Sequence, residues 1–239
     1  MGTTAFISDL HLDAGEPAIA ARLFAFLEDC VGSVERLFIL GDLFEAWIGD
    51  DEETELAAAV ADRLAALAAA DTDLYFMAGN RDFLLGSAFA ARCRMRLLKD
   101  PAVVLIGDAP LVLSHGDCFC TDDVDYQAFR QMVRDPTWIR GFLDKPLEER
   151  RAFAAHAREE SRRQTGDKPA AIMDTNAGAI GALMGRLDAP LLLHGHTHRP
   201  GVHDEPEERC RRFVLGDWSA EGGVIALSSG SDLALERLS

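Results

Sequence analysis

Five polar clusters in this 239-residue chain stand directly after short apolar runs. They are Asp9-Leu10-His11, Gly41-Asp42-Leu43-Phe44-Glu45, Gly79-Asn80-Arg81-Asp82, His115-Gly116-Asp117 and His194-Gly195-His196-Thr197-His198. Carboxylate, amide and imidazole groups are the mixed oxygen and nitrogen donors that Mn²⁺, Fe²⁺ or Zn²⁺ accepts, and a set without Cys disfavours a structural zinc. Seven candidates, Asp9, His11, Asp42, Asn80, His115, His196 and His198, suffice for two cations sharing one carboxylate. Asp42, the middle carboxylate, is the natural bridge. Any one cluster alone is an ordinary turn or a hydrogen-bonded histidine. Their recurrence after successive strands reverses that reading. His156 and His203 fall outside the clusters and read as surface residues. Cys118-Phe119-Cys120 lacks the CxxC spacing of redox or zinc sites and reads first as structural or site-adjacent thiols, with a metal role as the lesser alternative.

The elements that must position these groups follow from apolar periodicity. Runs rich in β-branched and aromatic residues predict strands at 4–8, 37–40, 74–78, 103–106, 111–114, 191–194, 213–215, 224–227 and 233–238. Helical spacing predicts helices at 17–30, 53–69 and 83–92, the first opening on Pro17 with Ile19, Leu23, Phe26 and Leu27 on one stripe. The alternation is an α/β pattern, and the closer strands from residue 103 onward imply a mixed two-sheet core. In such folds ligands collect beyond the carboxyl ends of strands, where all five clusters lie. Residues 123–174 break the rhythm, with helical patterning at 126–133, 136–143 and 147–164 and a further helix at 170–184. We expect a helical insertion, or cap, at 123–174 on a core made of 1–122 and 175–239. The insertion holds 10 of the 24 basic and 10 of the 40 acidic residues, so the whole net charge of -16 resides in the core.

That charge argues against a nucleic-acid partner, which would need a local basic groove. Hydrophobic residues at 48% and charged residues at 27% are ordinary globular values and exclude a disordered scaffold. No apolar run approaches the roughly 18 residues of a spanning helix, since the Ala-rich stretch 56–70 is broken by Asp62 and Arg63. The first residues lack a basic segment and a long apolar core, and five scattered cysteines suit reduced thiols, so a cytoplasmic location is expected. Nothing in the pattern calls for an obligate protein partner.

Taken in order, the five clusters resemble the signature of the calcineurin-like metallophosphoesterases. The stretches 39–51, 79–86, 120–123, 126–130, 171–174 and 194–200 closely resemble one branch of it, the UDP-2,3-diacylglucosamine hydrolase family of lipid A biosynthesis. The resemblance spans almost the whole chain and weakens only at 134–155 and after 219. It implies an αββα sandwich, two Mn²⁺ ions held by the seven candidates above, and UDP-2,3-diacylglucosamine as substrate. Water would attack the α-phosphorus, giving UMP and 2,3-diacylglucosamine 1-phosphate. It further implies catalytic roles for Asn80, Arg81 and His196, and substrate contacts from those three and from Asp123, Tyr126, Arg158, Ser161, Thr165 and Lys168. Most of the wider superfamily carries His where Arg81 stands. Arg cannot donate a proton at working pH but can hold two phosphate oxygens, which suits a pyrophosphate whose leaving group scarcely needs protonation. An acylated substrate implies an apolar cleft, with Phe129, Met132, Trp138, Ile139, Phe142, Leu143, Phe153, Ile172 and Met173 of the insertion as lining, joined by Trp47 and Phe83. It also implies a peripheral position on the cytoplasmic face of the inner membrane, with Arg140, Arg150, Arg151, Arg162 and Arg163 toward anionic headgroups.

Overall fold

Strict alternation along the strands builds the core. In β1 (Thr3–Ile7) and β2 (Val34–Ile39), Ala5, Ile7, Leu37 and Ile39 face one layer while Phe6 and Phe38 face another. This is the period-2 geometry of a pleated strand buried on both sides. A computed structural model gives the arrangement, describing residues 2–167, 172–205 and 210–238. After β1 and β2 come α1 (Pro17–Cys30) between them, α2 (Glu55–Ala69), β3 (Asp73–Met77), α3 (Ser87–Arg92) and β4 (Met95–Leu98). Next follow β5 (Ala102–Ile106), β6 (Ala109–Ser114), a 3₁₀ turn (Asp117–Phe119), α4 (Val124–Val133), α5 (Pro136–Leu143) and α6 (Leu147–Asp167). The chain closes with α7 (Ala177–Leu187), β7 (Leu191–His194), β8 (Gly201–Glu205), β9 (Cys210–Val214), β10 (Gly223–Ser229) and β11 (Asp232–Leu238).

The strands form one sheet in the order β11-β10-β1-β2-β3-β4 and a second in the order β5-β6-β7-β9-β8. Phe6, Phe38 and Met77 of the first meet Leu111, Leu113, Leu193 and Phe213 of the second in the apolar layer between them. Phe6, Phe38 and Tyr75 stack in a row across β1, β2 and β3. Complete burial of Phe6 and Phe38 contributes roughly 1.5–3 kcal/mol each. Helices α1, α2 and α3 cover the outer face of the first sheet, and α7 covers the second through Ile180, Leu183 and Met184 against Val112 and Leu192. The expected αββα sandwich is therefore present.

Four elements depart from expectation. Strand β4 extends the first sheet beside β3, and β8 pairs antiparallel with β9 at the edge of the second. Helix α3 starts at Ser87, not at residue 83, because Asp50 caps it from the loop after β2, accepting from Gly86, Ala88 and Phe89 N at 2.9, 2.9 and 3.0 Å. Helix α7 starts at Ala177 behind an Asn176 cap, so it does not reach back into the insertion.

Helices α4 to α6 stand between the two parts of the sandwich in sequence. Trp138, Phe142 and Phe153 form one aromatic cluster among them, and Trp138 reaches Phe83 of the core. Arg150 is not at the surface, contrary to expectation, but 2% exposed. Its guanidinium donates to Ile48 O at 2.7 Å and Lys145 O at 3.0 Å and forms a two-pronged pair with Asp51. Met132 and Leu143 are exposed, at 47% and 37%.

Candidate metal centre

Five loops meet at one rim of the sandwich. β1, β2 and β3 run parallel in one sheet, and β6 and β7 run parallel in the other, so their carboxyl ends come together. The loops after β1 and β2 are laced side by side, with Asp9 N donating to Gly41 O at 3.1 Å and His11 N to Asp42 O at 2.9 Å. Gly41 sits at φ +90°, and a Cβ there would stand 2.5 Å from Gly79 Cα. At Gly79 a Cβ would stand 2.1 Å from Asp42 Oδ1. These two glycines are what let the second and third clusters close on one another.

The seven donors predicted from sequence all arrive there. His11 Nε2 lies 3.3 Å from His198 Nε2 and 3.7 Å from Asp42 Oδ2, while His198 Nε2 lies 3.5 Å from Asp9 Oδ1. On the other side of Asp42, His115 Nε2 lies 3.7 Å from its Oδ2, and Asn80 Oδ1 lies 2.9 Å from His115 Nε2 and 2.8 Å from His196 Nδ1. Among the described residues eight non-glycine positions have positive φ, and five are Asp9, His11, Asp42, His196 and His198, at 50–68°. Each such residue costs of order 1–3 kcal/mol unless its surroundings enforce it, and such strain gathers at functional sites.

The donors fit cations. Metal–nitrogen and metal–oxygen bonds of about 2.0–2.2 Å place neighbouring ligands roughly 3–3.5 Å apart, close to the separations found. Asp9, Asp42 and His115 are all buried, an unfavourable grouping unless positive charge joins it. Burial opposes charge on His115, yet Asp42, Asp9 and Asp117 push its pKa up to about 9, so the metal-free site draws a proton onto a wholly enclosed imidazole. His196 is pushed the other way, down to about 4, by burial and by His115, and is neutral with a lone pair to offer.

Residues behind the donors fix their orientation, and sequence reasoning gave these no role. Glu45 Oε2 accepts from His11 Nδ1 at 2.9 Å, leaving Nε2 for the centre. Leu40 O takes His115 Nδ1 at 2.8 Å in the same way. Asp82, wholly buried, accepts from Gly79, Leu43 and Asp42 N at 2.8, 2.7 and 3.2 Å and so ties the second loop to the third. Burial and the nearby Asp42 charge push its pKa up to about 6. Glu45 and Asp82 stand inside the motifs themselves, which was the available signal.

A cavity of about 620 Å³ opens from this centre toward α4 and α6. Asn80, Arg81, Asp123, Tyr126, Arg158, Ser161, His196 and His198 all line it. The Thr165 side chain and Lys168 lie outside the described residues. Nε of Arg81 and of Arg158 is buried without a hydrogen-bond partner among the described residues, and both charges add to the His11 hydrogen bond in holding the Glu45 carboxyl below the usual range against the effect of burial. Orphaned guanidinium donors beside a cation site suit a phosphate group. Trp47, Phe83, Phe129, Phe142, Phe153 and Met173 give the cavity an apolar wall, as expected, whereas Trp138 and Ile139 pack against the core. His156, read as a surface residue, is exposed but borders the cavity mouth.

A strand-loop metal rim on an αββα sandwich is the architecture of a phosphoesterase, and the chain belongs to the calcineurin-like phosphoesterase family, whose pattern matches residues 2–200. Within it, the chain is 49% identical to the UDP-2,3-diacylglucosamine hydrolase of Aromatoleum aromaticum, over 95% of this chain and 98% of that one. It is 45% identical to the enzyme of the same name from Xanthomonas campestris pv. campestris (strain B100), over 99% of both chains. With that of Marinobacter nauticus it shares 44% over 98% of this chain and 97% of the other.

Proposed function

We propose that this protein hydrolyses the pyrophosphate bond of UDP-2,3-diacylglucosamine, with water attacking the α-phosphorus to release UMP and 2,3-diacylglucosamine 1-phosphate. One juxtaposition carries the reading: the rim of seven cation donors opens, through Asn80, His196 and His198, onto a cavity that also holds Arg81 and Arg158, each with a buried Nε that has no partner among the described residues, and an apolar wall. The names of relatives at 43–49% identity over nearly the full chain support the same substrate.

Asp9, His11, Asp42 and His198 would hold one Mn²⁺, and Asp42, Asn80, His115 and His196 would hold a second. Bound there, the cations supply Lewis-acid polarisation of the phosphoryl oxygens and a nucleophilic water at neutral pH. The chain does the rest. Arg81, whose backbone N donates to Asp42 Oδ1 at 2.8 Å, is fixed beside the bridging carboxylate and turns its fork on the phosphate oxygens. It offsets the charge that builds on them without giving up a proton, which a phosphate leaving group does not require. Asn80 and His196 orient the phosphate, while Asp123, Tyr126, Arg158, Ser161, Thr165 and Lys168 bind the remainder of the substrate.

Residues 123–174 act as a cap over a core of 1–122 and 175–239, excluding water from the acyl chains with Phe129, Phe142, Phe153 and Met173. No helix among the described residues is long and apolar enough to cross a membrane. The protein takes its substrate from the cytoplasmic face of the inner membrane, and exposed Val124, Met132 and Leu143 on the cap support contact with that surface.

The test is to incubate protein and Mn²⁺ with UDP-2,3-diacylglucosamine in detergent micelles containing ¹⁸O water. Labelled UMP is expected. Label in the lipid phosphate would move the attack to the other phosphorus, and no UMP with metals bound would sink the substrate assignment.

A further inference from the structure

Apolar packing does little to hold helix α4 in place. Val133 is its one buried residue, while Val124 and Met132 are exposed at 72% and 47%. Yet α4 carries Tyr126, and Asp123 caps its start by accepting from Tyr126 N at 3.1 Å. Both line the cavity. Something polar must therefore set where this helix lies.

That anchor is a single carboxylate. Asp117, wholly buried in the 3₁₀ turn after β6, accepts at one oxygen, Oδ2, from Tyr126 Oη at 2.8 Å, Arg130 Nε at 2.8 Å and Arg134 Nη2 at 3.2 Å. Tyr126 and Arg130 lie one turn apart on α4 and Arg134 is its C-cap, so the three, spaced by four, present one face to Asp117. The side-chain amide of Gln127 adds bonds to Asp117 O at 2.8 Å and Cys120 O at 3.1 Å. Arg134 also donates to Gly79 O at 3.0 Å, the carbonyl just before Asn80 and Arg81. The Tyr126 ring in turn lies almost parallel to the His196 ring, with centroids 6.0 Å apart.

We propose that Asp117, acting through Tyr126, Arg130 and Arg134, is the positioning residue that sets the first cap helix in register with the metal centre for substrate binding. Asp117 is not itself a ligand to the centre. Asp100 and Cys118 lie near it and the His115 charge reaches it from two residues away, but the groups that pair directly with its carboxylate are the guanidiniums of Arg130 on α4 and of Arg134 at the end of that helix. A carboxylate that takes three donors from one helix face fixes that helix in rotation as well as distance. Its loss leaves the cation donors where they are and lets Asp123 and Tyr126 drift from the substrate.

The proposal rests on the substrate reading above, and its test separates the two. Asp117→Asn, Arg130→Gln and the double variant are made in the full chain, loaded with Mn²⁺, and assayed for kcat and KM on UDP-2,3-diacylglucosamine in micelles, with Mn²⁺ affinity measured by titration. Asp117→Asn is expected to raise KM about tenfold or more, while kcat and Mn²⁺ affinity stay within about threefold of wild type, the pattern of lost binding without lost chemistry. Arg130→Gln gives a smaller rise, and the double variant is no worse than Asp117→Asn alone, because both act through one contact. A general loss of folding would lower active protein without this split. Should Asp117→Asn fail to fold, Arg130→Gln carries the test, since its side chain is 20% exposed and Arg134 still pairs with the carboxylate. A joint fall in kcat and Mn²⁺ affinity would overturn the proposal by placing Asp117 in service of the metal centre. Unchanged KM in both variants would overturn it as well. Wild-type protein that binds Mn²⁺ but does not turn over the lipid nucleotide would overturn the substrate reading and this proposal together, a failure visible before any variant is compared.

Discussion

Glu45 offers the sharpest separation of charge from geometry at the metal centre. Its Oε2 accepts from His11 Nδ1 at 2.9 Å with the side chain 19% exposed, so it holds the proton on Nδ1 and aims the Nε2 lone pair at the centre. Burial works against an ionised Glu45, but the His11 hydrogen bond and the Arg81 charge keep its carboxyl below the usual range, so it is a carboxylate at neutral pH. Removing such a partner costs about 10–100-fold in metal affinity. Glu45→Gln keeps an acceptor for Nδ1–H and loses the charge, so it belongs near the lower figure, about 1.4 kcal/mol. Glu45→Ala loses orientation too and belongs near the upper one, about 2.8 kcal/mol. Asp217 stands behind His198 in the corresponding place but at 3.7 Å and 54% exposed, so Asp217→Asn is expected to cost under about threefold. Titration of metal-free protein with Mn²⁺, followed by calorimetry or by the resonance signal of the free ion, reads all three directly. If Glu45→Ala bound both ions as tightly as wild type, or Asp217→Asn matched it in effect, the assignment of orienting roles from distance and burial would be wrong.

Other expectations follow from the same contacts. Arg81→Ala should keep both cations, because its side chain faces the phosphate and not the donors, yet lower kcat about 10²–10³-fold; loss of metal from the variant by elemental analysis would show the side chain is misplaced. Arg150→Met removes the donors to Ile48 O and Lys145 O as well as the Asp51 pair, at a cost of about 2–4 kcal/mol. Thermal unfolding should show Tm roughly 5–15 °C lower, and a shift under about 2 °C would leave Arg150 without its anchoring role. Burial pushes the Cys30 and Cys93 thiols up to about 12, so the folded chain keeps protons that the unfolded chain gives up from about pH 8.5. Folded proteins that retain the extra proton lose stability as pH rises, so the denaturant midpoint should fall between about pH 8.5 and 10.5 and fall less in Cys93→Ala; equal slopes would refute the link.

How far the sequence alone carried depended on whether a residue's role was written in its neighbours. That the seven side chains gather on one rim was legible because each follows an apolar run, and a strand's end can be read locally. The five left-handed donors were not flagged, since Asp and His bear no mark of positive φ until five loops compete for one space. Strand β4 was hidden because Met95-Arg96-Leu97-Leu98 follows the charged end of a helix and earns its place only by pairing with β3. The start of α3 was misplaced because its cap, Asp50, lies in another loop.

Arg150 shows the limit most clearly. It sits in the charged run Glu148-Glu149-Arg150-Arg151, where every local cue indicates a solvated helix face, and the adjacent Arg151 does pair at the surface with Glu52. One position earlier, the same helix turns a guanidinium inward to two backbone carbonyls and Asp51, about a hundred residues away in sequence. The two arginines differ only in direction, and direction on a helix with weak amphipathic patterning is set by what lies beneath it. The same holds for Asp117, whose three partners are spaced by four along α4 and its C-cap. That spacing was visible, but that it converged on a carboxylate belonged to the fold. Chemistry concentrated at strand ends is thus readable from a single chain, while the devices that hold helices α4 to α6 in place depend on contacts between parts of the chain that no local pattern joins.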